Sequence, residues 1–167
     1  MLFRSAAVAG HEAPSGDVVA TDGGAAVPAN QTADITGITV THAARKVTTA
    51  VTLRSVAASG WNLVAAIRTP AATYRVTLID LGSSSYVALS RKGKVVDCAG
   101  LTRSIDATND RVGVGVPRSC IGRPDWVRVG AVVTASQNST VVADDARLDG
   151  ALTASGDPKL GGRVAVG

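Results

Sequence analysis

From residue 34 onward the chain alternates apolar and polar positions with a period of two. Clusters of Gly, Pro, Ser, Asn and Asp interrupt the alternation at a spacing of roughly ten residues, as turns do in all-β domains. Period two is the repeat of a strand with one buried face. Segment 45–54 carries it most clearly: Val47, Thr49, Val51 and Leu53 alternate with Lys46, Thr48, Ala50, Thr52 and Arg54. The same repeat predicts strands over 34–42, 61–69, 73–81, 86–91, 94–98, 111–116 and 126–135, with shorter ones over 101–106, 141–143 and 163–166. Lys92-Gly93 reads as a hairpin turn, and 117–122 as one helical turn that Gly122 ends.

Short strands at this spacing, with no amphipathic helix of about a dozen residues between them, predict an all-β fold: a single antiparallel β-sandwich, Ig-like or jelly-roll-like, of eight or nine short strands. Alternation assigns Val47, Val51, Leu53, Leu63, Ile67, Val76, Leu78, Val112, Val114, Val129 and Val133 to the core. Trp61 shares the face of Leu63 and Ile67 and joins them. Gly113 and Gly115 lie opposite the valines of 111–116 and leave room for another backbone to approach closely.

Composition agrees. Hydrophobic residues make up 46% of the 167 positions, enough for a core, and Val and Thr are abundant while Glu, Gln and Met are scarce. No apolar run reaches the length of about 18 residues that crosses a membrane as a helix. The net charge is +4. The arginines are scattered singly with no aromatic platform among them, so no nucleic-acid partner is expected. Partners are expected to be a protein or a cell-envelope polymer.

Cys98 and Cys120 are the only cysteines, and no Cys/His set suits zinc. An isolated pair in a small β-rich chain reads as one structural disulfide in an oxidising compartment. At the N-terminus, Leu2-Phe3-Arg4-Ser5 is what the end of a common sequencing adapter encodes. Residues 1–5 are therefore expected to be non-native, and Ala6-Ala7-Val8-Ala9-Gly10-His11-Glu12-Ala13 to be the tail of an export signal otherwise lost by truncation. Residues 6–33, rich in Ala, Gly, Pro and Asp, read as a loosely ordered tail in which Val18-Val19 is the one candidate strand, so the domain proper is placed at 34–167.

Asp34-Ile35-Thr36-Gly37-Ile38-Thr39-Val40, Val116-Pro117-Arg118-Ser119-Cys120-Ile121-Gly122, Trp126-Val127-Arg128-Val129-Gly130 and Asp144-Asp145-Ala146 together resemble a group of small secreted β-sandwich proteins of high-GC actinobacteria. The resemblance covers 17–167. It implies export, a paired cysteine and a sandwich, and no chemistry.

Candidate chemistry is sparse. The domain holds one histidine, His42, read as an exposed strand-end side chain without a nucleophile beside it. No G-x-S-x-G elbow is present. No catalytic residue is assigned, and no cofactor is expected. No tightly bound metal is expected, and the acidic run is read as a solvated turn; Asp144, Asp145 and Asp149 are the candidate ligands of the alternative, a sandwich-edge Ca²⁺ site. An EF-hand is excluded, because Arg147 stands third and Gly156 twelfth counted from Asp145. Trp126 is the one aromatic placed for partial exposure, and hence the candidate sugar platform. The expected function is a secreted or envelope-associated, non-catalytic interaction module. A carbohydrate-binding module and an extracellular hydrolase using Asp residues are the alternatives.

Overall fold

The computed structural model describes residues 5–167, which form two packed antiparallel sheets built from thirteen strands. Residues 1–4, the bulk of the segment expected to be non-native, lie outside the described residues. The smaller sheet runs in the order β1 (Ala7–Glu12), β3 (Ile35–His42), β4 (Lys46–Leu53), β10 (Arg111–Pro117), β9 (Thr102–Asp106). The larger runs β2 (Val19–Ala20), β12 (Thr140–Asp145), β11 (Trp126–Gln137), β5 (Trp61–Arg68), β6 (Thr73–Asp80), β7 (Ser85–Arg91), β8 (Lys94–Val96), and β13 (Arg163–Ala165) pairs the first residues of β11 beside β12. The only helix among the described residues is a 3-10 turn at Arg118–Ile121, and Gly122, at φ 79°, ends it. No helix is long and apolar enough to cross a membrane.

The chain visits the sheets in blocks, β3–β4 and β9–β10 in one, β5–β8 and β11–β13 in the other. Strands that follow one another within a block are joined by short turns except β12 and β13, which the long segment 146–162 separates, and the two-residue turn Lys92-Gly93, with φ 51° and 74°, has both torsions positive as a primed hairpin turn requires. The core lies between the sheets. Every position that alternation assigned to it is at most 3% exposed. Trp61 is buried among them and its indole N–H donates to Ala57 O at 3.1 Å.

The N-terminal segment does not behave as a loose tail. β1 pairs along β3 from Ala7↔His42 to Glu12↔Gly37, and β2 adds to β12. Val18 and Ala33 are fully buried. The boundary at residue 34 is therefore no boundary in the fold. The candidate strand at Val18-Val19 is β2, with buried side chains, whereas β1 is hidden in the pattern because its short residues and Gly10 pair at a sheet edge without a clear alternation. These two strands account for two of the four or five beyond the eight or nine expected.

The glycines of β10 act only in part as expected. A Cβ at Gly113 would meet Thr49 O at 2.9 Å, and one at Gly115 would run into the Thr102 hydroxyl and the Lys46 side chain. At Gly113 the close approach is that of the flanking β4 backbone, as expected in kind, whereas at Gly115 side chains of the flanking strands take the space. Lys46 Nζ reaches over Gly115 to donate to Thr102 Oγ1 at 3.3 Å.

Candidate functional site

One end of the sandwich gathers three carboxylates from three parts of the chain. Asp34 precedes β3. Asn30 sets its approach: Asn30 Oδ1 accepts the Ala33 N–H at 2.8 Å, and Nδ2 donates to Gln137 Oε1 at 2.6 Å. A β-bulge between Ile35 and Gly37 follows, which turns Ile35 and Ile38 inward although their spacing is odd. Asp34 Oδ2 accepts the Gly16 N–H at 2.8 Å and Arg54 Nη1 at 3.1 Å. Asp144 stands on the inward face of β12, where Oδ2 accepts the Ile35 N–H at 2.7 Å. Asp17, in the loop before β2, accepts the Gly150 N–H on Oδ2 at 3.3 Å. One oxygen from each of Asp17, Asp34 and Asp144 lies within 4.8 Å of the others.

Burial dominates the electrostatics here. It pushes the Asp144 carboxyl up to about 8; the charges of Asp17 and Asp34 act in the same direction, and the Ile35 N–H opposes them. Burial also raises Asp17, helped by the charges of Asp34 and Asp149. Oδ1 of both Asp17 and Asp34 is enclosed with no hydrogen-bond partner among the described residues. The donor set is all oxygen, which suits a proton or a hard cation and not a thiophilic metal.

The structure separates the acidic residues that sequence spacing grouped. Asp144 and Asp145 are consecutive in a strand, so they point to opposite faces. Both are buried, at 3% and 1% exposure, and the solvated turn expected there does not exist. Asp145 is used up on the outer face: its Oδ1 accepts the Arg147 N–H at 2.9 Å and its Oδ2 the Lys159 N–H at 2.8 Å. Asp149 is exposed and outside the trio. Asp17 and Asp34 were missed. They stand more than a hundred residues from Asp144, and only the fold brings them to it.

His42 is fully buried and not an exposed strand-end side chain. Its Nδ1 lies 3.0 Å from Val164 O, and burial lowers its pKa below the ordinary histidine value. The strand β13 closes over it, an element too short to anticipate as a lid. Trp126 is half-buried, as its alternation suggested, but Arg163 of β13 stacks on the ring with the guanidinium carbon 4.3 Å from its centre. A groove of about 640 Å³, lined by Tyr74, Arg75, Ser90, Lys92, Asp157 and Pro158 among others, does not include Trp126.

The outer face of the smaller sheet presents a regular five-stranded surface. Register aligns Val8, Thr41, Thr48, Gly115 and Thr102 in one row across the strands, and Gly10, Thr39, Ala50, Gly113 and Ser104 in the next. Thr39, Thr41, Thr48 and Ala50 are half-buried and Thr102 and Ser104 exposed. No residue of the two rows is itself charged, though the Lys46 side chain crosses Gly115 to reach Thr102 at one end of the first row.

Cys98 and Cys120 form a disulfide with Cα atoms 5.6 Å apart. It fastens the chain just beyond β8 to the 3-10 turn between β10 and β11. A scan against protein-family models and a search of curated proteins both gave no match to this chain.

Proposed function

We propose that the protein is a secreted or envelope-associated interaction module without catalysis, and that it binds an extended cell-envelope polymer on the outer face of its smaller sheet. The observation that carries the reading is the pair of uncharged rows of small and hydroxyl side chains described above. Neighbouring strands are about 4.8 Å apart, so such rows make a flat, regular grid of methyl and hydroxyl groups. A polymer chain with ring faces and hydroxyls can lie along that grid with Lys46, at one end over Gly115 and Thr102, as the one charged group it meets. The disulfide supports a site of action in an oxidising compartment.

The sugar-platform alternative on Trp126 has less support, because Arg163 already covers a face of the ring. The hydrolase alternative has less as well: Asp34 and Asp144 are enclosed and hold backbone N–H groups of their own protein.

Co-sedimentation with insoluble cell-wall polysaccharide tests the proposal. The wild type is expected in the pellet, Thr48→Glu in the supernatant, and Val95→Ser, altered on exposed β8 of the other sheet, in the pellet. Absence of the wild type from the pellet, or retention of Thr48→Glu there, overturns it.

A further inference from the structure

The geometry points to a Ca²⁺ site formed by Asp17, Asp34 and Asp144. Oxygens around one Ca²⁺ stand about 2.3–2.6 Å from the ion, so no two of them can be much more than about 5 Å apart. One oxygen from each of the three carboxylates meets that limit, all lying within 4.8 Å of one another. The cluster also asks for a ligand on independent grounds. Asp34 is 0% exposed, yet its Oδ1 has no hydrogen-bond partner among the described residues, and Asp17, 9% exposed, likewise encloses an Oδ1 without a partner among them. A buried carboxylate oxygen left without a partner is costly, and a cation bound to it removes that cost.

Charge selects the valence. With the Asp144 proton displaced by the ion, three carboxylates and one guanidinium, Arg54 on Asp34, leave two negative charges, which a divalent ion balances. Chemistry selects the ion. The donors are all oxygen, they come from a loop, a strand entry and a strand, and water or backbone carbonyls can complete the shell. Ca²⁺ accepts six to eight oxygens in such adaptable geometry, whereas Mg²⁺ demands a tight octahedron. The ion would hold the segment of Asp17 against both sheets, since Asp34 leads into β3 and Asp144 belongs to β12.

The test is thermal melting of the full chain, disulfide intact and stripped with EDTA, in ~5 mM CaCl₂ or MgCl₂, with calorimetric titration of Ca²⁺ alongside. Extracellular modules bind Ca²⁺ with dissociation constants of about 0.1–1 mM, so a rise of about 5 °C is expected in Ca²⁺ and a smaller one in Mg²⁺. Asp17→Asn should abolish the rise; Asp17 sits in a loop, and its amide replacement keeps the size of the side chain. Asp145→Asn and Asp149→Asn should retain it. No Ca²⁺-dependent shift or heat in the wild type, an equal shift in Mg²⁺, or an undiminished shift in Asp17→Asn overturns the assignment.

Discussion

Asp144 Oδ2 accepts the backbone N–H of Ile35 at 2.7 Å, and the bond ties β12 of the larger sheet to the first residue of β3 in the smaller. Ile35 is fully buried, so water cannot replace the acceptor. Asp144→Ala leaves that N–H without a partner, while Asp144→Asn keeps an oxygen in reach and also lacks the charge. The alanine variant is therefore expected to be about 1–3 kcal/mol less stable than the asparagine variant. Urea unfolding of the two measures it; equal midpoints would refute the role of the bond.

The same carboxyl makes stability depend on pH. Its folded-state value, about 8, stands above the ordinary aspartate value. Between about pH 4 and 8 the folded chain keeps a proton that the unfolded chain has released. The unfolded state then binds fewer protons, so this group's contribution to stability falls as pH rises across that window. It is fully favourable only below the ordinary value. In EDTA, the stability of the wild type minus that of Asp144→Asn should decline by at least about 1 kcal/mol from pH 5 to pH 8. A difference that stays level with pH removes the prediction.

Legibility in the sequence follows the physics of each element. Val47, Val51 and Leu53 were readable because an unbroken period of two admits one inward set. The disulfide was readable because two cysteines allow one pairing within the chain. β1 was not, since edge strands are recruited by backbone hydrogen bonds that Ala7, Ala9 and Gly10 supply without a side-chain signature. The bulge at Ile35–Gly37 was not, because one extra residue shifts the face without changing composition. Of the acidic site, Asp144 alone was legible. Its partners come from 110 and more residues away in the chain, and its neighbour Asp145 was a false companion that strand alternation turns to the other face.

The Cys98–Cys120 bridge joins residues separated by 22 positions, and its removal should be felt chiefly through the unfolded chain. Closing a loop of that size stabilises by roughly 3 kcal/mol when native geometry accepts it. The core is rich in Ala and Val, which bury less area per side chain than Leu or Phe, so this contribution is a large share of the total. A Cys98→Ser, Cys120→Ser double variant should unfold at markedly lower urea, and peptide mass analysis of the wild type without reductant should recover the two cysteines linked. A double variant as stable as the wild type contradicts the argument.

Gly130 gives a prediction whose sign is the reverse of the usual one. It lies in β11 on the outer face of the larger sheet, opposite Ala66 of β5. The chain at 158–161 crosses that face and is fastened to it: Lys159 N–H donates to Asp145 Oδ2 at 2.8 Å, Gly161 N–H to Val129 O at 3.0 Å, and Arg128 Nε to Gly161 O at 2.7 Å. A Cβ on Gly130 would run into the Lys159 carbonyl and stand 3.2 Å from the Pro158 carbonyl carbon. These are backbone atoms held by their own hydrogen bonds, so they cannot swing aside as a side-chain tip would. Glycine to alanine in a strand normally stabilises, by about 0.4–1 kcal/mol, because the unfolded chain loses freedom. Here the overpacking is larger, about 1–3 kcal/mol, and should win. Gly10→Ala is the matched control: it lies in β1, and an added Cβ there meets nothing within 4 Å. Thermal melting should show Gly130→Ala destabilised and Gly10→Ala unchanged or slightly stabilised. Amide exchange at Lys159 and Gly161 should quicken only in the former. If Gly130→Ala melts no lower than Gly10→Ala, the crossing segment does not press on β11, and the account of how 158–161 covers Asp145 falls with it.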